Sequence, residues 1–587
     1  MSPIKTFSFT NSPSRRAFLG NALALGLGSL LLDSASPVRA TDKPDPPLRN
    51  SQPLAELAEL PKRILIDQDG YGLKSTERQG SRFTSGNAVV NLITTTAGQE
   101  VRVCCPTGPL SRVVLRWETE FPLDTLFLGD AWERGYGDLQ WRFRQPERIM
   151  PWYFAAHQAS SGRTFLAGVK TQPSALCFWM VDAAGISLWL DFRNGGGPSR
   201  PGKREIKSAV IISHTSDQEI TPTAAITRFC QLMCPSPRLP SQPICGNNNW
   251  YYAYGRDFDA DAIRRDATFL GELAGDHHNR PFCVIDAGWT PGSVCPGGPW
   301  QKGDAKRFPD MPGLAADLRK IGVRPGIWMR PTALTIVDDP SRLRAGPVNT
   351  QEKPLDLTLP ENLELIHADV ARVRSWGYDL IKHDFSTYDI LGKWGFEMGA
   401  ELTEDGWHFQ DQTLTNAEII LRHYQNLRAA IGDGLLLGCN TIGHLGAGLF
   451  EIQRAGDDTS GHVWERTRRM GINTLAYRLA QNGTFFACDP DCAAHTNQTP
   501  WDLDRQFLDL VARSGAPLFI SVDPRTITPE QKTLFQMAMQ IALSGGAGGG
   551  AEPLDWLYNT APAHWLLGVE ERNYHWEEAY GSSPMKI

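Results

Sequence analysis

Three stretches of this chain end an apolar run in residues that could do acid, base or nucleophilic chemistry. The first is Leu380-Ile381-Lys382-His383-Asp384-Phe385-Ser386. If the run is a strand, Lys382 and Asp384 share one face. Lys382 would then hold Asp384 ionised and could donate to a sugar hydroxyl. A fixed, charged carboxylate at a strand end suits attack on an anomeric carbon. It equally suits capping of the loop that follows. The second stretch is Gln453-Arg454-Ala455-Gly456-Asp457-Asp458-Thr459. A retaining glycosidase needs a second carboxyl about 5 to 5.5 Å from the first, to protonate the leaving oxygen. Adjacent Asp side chains point in different directions, so only one of Asp457 and Asp458 would face a site; an Asp-rich turn is the plainer alternative. The third is Val284-Ile285-Asp286-Ala287-Gly288-Trp289, where Asp286 could bind hydroxyls while an indole stacks on a sugar. Trp250, Tyr251, Tyr252 and Trp328 would add aromatic walls, or would simply pack a core. His383, His444 and His462 invite a metal-hydrolase reading. No HxH or HExxH spacing supports it, so no metal or other cofactor is expected, and EDTA should leave any activity intact.

Positioning these residues requires a regular scaffold. From Cys245 onward, short apolar runs alternate with helical stretches. Strands are expected at Phe282–Ile285, Pro325–Met329, Leu380–Lys382 and Leu435–Cys439. Helices are expected at Ala260–Ala274, Met311–Ile321, Leu363–Trp376, Asn416–Ile431 and Pro529–Leu543, the last with Thr528 as N-cap. Such alternation over about 300 residues predicts parallel βα units and fits a (β/α)8 barrel. The runs end at Asp286, Arg330, Asp384 and Cys439, where such a barrel carries its chemistry. A doubly wound sheet competes, but no Gly-rich phosphate loop follows the first strand.

The rest of the chain reads differently. From about Arg63 to Ser213 the pattern is mostly period two, as in Val101-Arg102-Val103-Cys104 and Ile186-Ser187-Leu188-Trp189-Leu190, and predicts an antiparallel β-sandwich. A helix leaves it at Thr221–Met233. The expected organisation is then a signal peptide at 1–40, a linker at 41–61, the sandwich at 62–235, the catalytic barrel at 236–545 and a short β extension at 546–587. In the first segment Ser14-Arg15-Arg16-Ala17-Phe18-Leu19 has the form of a twin-arginine export signal, and Val38-Arg39-Ala40 offers a cleavage site. Export to the periplasm is therefore expected, with no membrane segment after cleavage. The chain has 587 residues, 41% apolar and 21% charged, with net charge −7. No basic stripe appears, which argues against a nucleic-acid partner. Eleven cysteines make disulfides possible, and their odd number leaves at least one unpaired.

Six pieces of the barrel segment, taken in order, resemble the catalytic domain of glycoside hydrolase family 36, the α-galactosidase (melibiase) family. They are Asn249-Trp250-Tyr251, Ile285 to Trp289, Gly326-Ile327-Trp328, Lys382 to Phe385, Leu437-Gly438-Cys439 with Arg454 to Thr459, and Asp489-Pro490-Asp491-Cys492. Upstream, Leu128 to Leu139 is also similar to a stretch in family members. The likeness covers about half the chain. It implies a retaining exo-α-glycosidase that releases terminal α-linked galactose from an oligosaccharide or polysaccharide by double displacement. Asp384 matches the nucleophile and Asp458 the acid/base, with Asp457 its rival. Lys382, Cys439, Arg454, Asp286 and Trp328 match sugar-contacting positions, and Trp250, Trp289 and Asp457 are expected to bind substrate beside them. One departure bears on specificity: Ala287 stands where the family has a second Asp holding hydroxyls of the galactose ring. Charge-assisted hydrogen bonds lost there could cost a few kcal/mol. Another sugar, such as N-acetylgalactosamine, a transglycosylase, or a sugar-binding relative without catalysis would share the scaffold.

Overall fold

Period-two patterning in the first third of the chain becomes two antiparallel sheets. The computed structural model describes residues 57, 60–292, 294–346 and 353–581. Within them one sheet has six strands and the other nine. Strand Ala88–Thr95 shows the principle: Ala88, Val90 and Leu92 are buried, while Val89 and Asn91 are half-buried. It turns directly into Gly98–Cys105, pairing Val90 with Val103 and Leu92 with Val101. In the other sheet Val113 and Leu115 of Arg112–Glu118 point inward, and both sets join one core. Helix Pro222–Met233 leaves the sandwich, with Thr221 accepting from the Ala224 N–H as N-cap.

The parallel strands are β1 (Cys245–Asn248), β2 (Phe282–Ile285), β3 (Arg324–Met329), β4 (Leu380–His383), β5 (Leu435–Gly438), β6 (Ile452–Arg454), β7 (Ala487–Asp489), β8 (Ala493–Ala494) and β9 (Leu518–Ser521). Their spatial order is β7-β6-β5-β4-β3-β2-β1-β9-β8. The two ends of that order are successive pieces of chain, joined only by Pro490-Asp491-Cys492. The nine segments therefore occupy eight positions in a ring, as a (β/α)8 barrel requires. Pro490 has no N–H for a ladder, and Asp491 takes a left-handed φ of 72°, so the seventh position is bent rather than continuous. The predicted helices form at Ala260–Ala274, Met311–Ile321, Pro360–Ser375, Asn416–Ile431 and Pro529–Leu543. Thr415 with Glu418, and Thr528 with Gln531, make reciprocal capping boxes that fix two of these starts.

Residues from Leu54 onward form one compact unit. The C-terminal β extension is a three-stranded antiparallel sheet, Ala551–Pro553, His564–Leu567 and Glu570–Asn573. It is tied to the rest of the unit at Trp464, whose indole donates to the Trp576 carbonyl at 2.7 Å. The expected signal peptide and nearly all of the expected linker lie outside the described residues. All eleven cysteines are free thiols. Among the described residues, no helix is long and apolar enough to cross a membrane.

Trp152 is the plainest joint between sandwich and barrel. It is buried at φ 66°, donates to the Ala131 and Trp132 carbonyls at 3.1 and 3.2 Å, and stacks on His444 of the barrel at 4.8 Å. Trp152→Ala should lower stability in urea unfolding by about 3–5 kcal/mol. A loss under about 1 kcal/mol would show that this joint does not hold the two layers together.

Candidate active site

Every barrel residue singled out for chemistry sits at or just beyond the C-terminal end of its strand. Asp286 follows β2, Asp384 follows β4, Cys439 follows β5, and Arg454 ends β6. The ladder aligns Trp328 of β3 with Lys382 of β4, which sets an indole beside an ammonium. Together Trp250, Asp286, Ala287, Trp328, Lys382, Asp384 and Asp458 line one recess. Cys295, Phe385, Trp394 and Arg134 complete its wall.

Asp384 is fixed without a cation of its own. Its Oδ1 accepts the N–H groups of Phe385 and Asn440, at 2.8 and 3.1 Å, and its Oδ2 accepts the Trp328 indole at 3.1 Å. Phe385 holds a left-handed φ of 64°, a strained setting for a bulky residue, which turns its N–H back onto the carboxylate. The expected Lys382–Asp384 pair does not form as the principal contact. Lys382 instead pairs with Asp286 at 2.7 Å, both being buried. Burial disfavours the charged ammonium, but Asp286 and other nearby anions outweigh it and keep its pKa well above the ordinary lysine range. The Asn248 amide and the Ala287 N–H also donate to Asp286.

Asp458 lies in the opposite electrostatic setting. Its side chain is 34% exposed, 3.2 Å from Arg454 and 3.4 Å from Arg134. Burial pushes its carboxyl up, and the combined charges of Arg134, Arg454, Lys382 and Arg466 reverse this and hold it well below the usual range. Asp457 points elsewhere, to Arg134 at 2.7 Å and Arg466 at 2.6 Å, and does not reach the recess. Adjacent residues in an extended turn face apart, so only Asp458 looks inward. Cys439 and Arg454 sit behind the wall: the Cys439 sulfur accepts from both Arg454 and Arg134, and Arg454 pairs with Asp491 at 2.8 Å. Asp491 also accepts the Thr459 N–H at 2.8 Å and the Tyr251 hydroxyl.

Trp289, expected to stack on a sugar, lies away from the recess. It is fully buried, packs on Trp300 and Trp376, and donates to the Trp328 carbonyl at 2.9 Å. It buttresses Trp328 from behind and does not line the recess. Among the described residues no group of three His, Cys, Asp or Glu could hold a metal ion. His383 bonds Ser386, His444 stacks on Trp152, and His462 packs at a tilt against Tyr254. Arg134 was not singled out from sequence, because it belongs to the sandwich and lies 324 residues before Asp458. Its only trace was the similarity of the stretch Leu128–Leu139 to family members.

Several solved structures share this fold. An α-galactosidase from Thermus thermophilus, solved with p-nitrophenyl α-D-galactopyranoside, matches at TM-score 0.56 over 87% of this chain and 99% of its own, with 19% identity. A family 36 α-galactosidase from Geobacillus stearothermophilus, a variant in complex with 1-deoxygalactonojirimycin, matches at TM-score 0.55 over 86% of this chain and 76% of its own, with 13% identity. The fold is that of the family 36 α-galactosidases. The galactosidase domain of an α-galactosidase–sucrose kinase shares this family 36 fold at TM-score 0.54 and 14% identity, over 84% of this chain and 74% of its own. No protein-family model and no curated protein sequence matches the chain.

Asp489, at the end of β7, offers a test of the buried charge arrangement. Burial raises its pKa to about 7, partly opposed by Arg454 and reinforced by Asp491. An unfolded Asp titrates near 3.9. Between about pH 4 and 7 the folded chain therefore keeps a proton that the unfolded chain has lost, so this group's contribution to stability falls as pH rises. Asp489→Asn removes that slope. Its stability relative to wild type should improve from pH 5 to pH 8 in urea unfolding. A difference independent of pH would contradict the assigned titration.

Proposed function

We propose that the protein is a retaining exo-α-glycosidase, acting on terminal α-linked galactose by double displacement. The observation that carries this reading is that Asp384 and Asp458 line one recess in opposite settings. Asp384, held by neutral donors, attacks the anomeric carbon. Asp458 protonates the leaving oxygen and then activates water against the glycosyl-enzyme. The cations around Asp458 favour its anionic form, which suits the second half of the cycle; the first half proceeds from the protonated fraction, which grows toward acid pH. Asp286, Lys382 and Trp328 supply charge and an aromatic face for one sugar ring.

The solved neighbours support the choice of sugar, since they hold p-nitrophenyl α-D-galactopyranoside, stachyose or raffinose. A second sugar is favoured by Ala287, which with Cys295 makes part of the wall without a charge. An N-acetylated galactose would be the alternative substrate. Export by the twin-arginine route rests on Ser14 to Leu19 and on the cleavage site at Val38-Arg39-Ala40.

A panel of nitrophenyl α-glycosides, read by released nitrophenol, tests the activity. Turnover of the α-galactoside is expected, with proton NMR showing the α-anomer as first product. Asp384→Ala should cut kcat by roughly 10³-fold or more. Turnover of the α-N-acetylgalactosaminide alone would replace the sugar but keep the mechanism. Sugar binding without hydrolysis at any pH would leave a non-catalytic binding protein in its place.

A further inference from the structure

The sandwich contributes more to the site than Arg134. The preceding residue, Glu133, has 0% exposure and sits between the two segments that flank the recess. One carboxylate oxygen accepts the Asn440 side-chain amide, and also the Tyr136 hydroxyl at 3.3 Å. The other accepts the Gly395 N–H at 3.0 Å. Both partners adjoin the catalytic machinery. The backbone N–H of Asn440 is one of the donors to Asp384, and Gly395 follows Trp394 of the recess wall. The approach is close: a Cβ on Gly395 would lie 2.9 Å from Glu133 Cβ and 3.0 Å from its Oε2. The next residue but one, Gly135, is stitched to the other catalytic segment, donating to Ala455 and accepting from Asp457, each at 2.8 Å.

We infer that Glu133 is a positioning residue for this site: it clamps Asn440, and through it Asp384, to the loop that carries Trp394. Its reach across the two layers means that the sandwich is a component of the active site rather than an appendage. The role rests on the glycosidase reading for its kinetic meaning and on geometry for its structural one. Burial raises the carboxyl to about 7, countered by Arg134, which marks how fully it is withdrawn from water.

The test has a kinetic arm and an arm that does not need turnover. For the first, kcat and KM are measured on a nitrophenyl α-galactoside for Glu133→Ala, Glu133→Gln, Asn440→Ala and the Glu133→Ala/Asn440→Ala double variant. Misplacing a reacting group by about 1 Å can cost on the order of 100-fold, so Glu133→Ala should lose about that much, mainly in kcat. Glu133→Gln, which keeps one acceptor, should recover about tenfold of it. The double variant should be no worse than the poorer single variant. Additive losses, or equal losses in the Ala and Gln variants, would overturn the clamp. For the second arm, hydrogen exchange is followed in full-length wild type, Glu133→Ala and Glu133→Gln. Peptides covering 394–398 and 439–441 should both exchange faster in Glu133→Ala and be restored in Glu133→Gln, while 518–521 stays unchanged. Unchanged protection at either of the first two peptides would overturn the proposal. Wild type inactive on every α-glycoside would remove the functional reading, and the exchange arm would still decide the clamp.

Discussion

The site depends on a set of opposite charges packed at the strand ends with little access to water. Arg454 and Asp491 meet at 2.8 Å with 1% and 3% side-chain exposure, Lys382 and Asp286 at 2.7 Å with 9% and 4%, and Arg134 and Asp457 at 2.7 Å. Such pairs contribute little net stability, but removing one partner strands a buried charge at a cost of about 3–5 kcal/mol. They therefore constrain one another. Arg454 can face Asp458 because Asp491 neutralises it from behind, and Asp491 is there because the chain bends at Pro490. The break in the seventh barrel position is in this sense a part of the charge arrangement.

This mutual constraint also accounts for the opposite environments of the two carboxylates. Asp384 is held by the two N–H groups and one indole, at 2.8 to 3.1 Å, while Asp458 lies within 3.4 Å of two guanidinium groups. The sandwich supplies one of those guanidinium groups. It also supplies Glu133, beneath the backbone that holds Asp384. Two layers that fold from unrelated sequence patterns thus meet at the chemistry, joined by backbone bonds at Gly135 and by the Trp152–His444 stack.

Much of the scaffold was legible in the sequence. Helices such as Met311–Ile321 and Asn416–Ile431 carry clear caps and apolar spacing, and their bounds match the expectation. Strands with apolar runs, such as Leu380–His383, were equally visible. Others were not. Cys245-Gly246-Asn247-Asn248 is fully buried yet has no apolar run, and its Asn248 serves both Asp286 and the following turn. The seventh position is split into pieces of three and two residues, too short for any periodicity. For the site, the positions of Asp286, Asp384 and Asp458 were legible as strand-end carboxylates. Their partners were not, since pairing is set by contacts between distant segments: Lys382 pairs with Asp286, 96 residues away, and Trp289 turns inward to support Trp328.

The most direct measurement of the central assignment is the identity of the residue that becomes covalently glycosylated. Wild-type protein would be incubated with a 5-fluoro-α-galactosyl fluoride, which forms a glycosyl-enzyme readily and releases it slowly, then digested and mapped by mass spectrometry. The account predicts one adduct per chain, as an ester on Asp384. An adduct on Asp458, Asp286 or another residue, or turnover of the reagent by a protein never modified at Asp384, would contradict it.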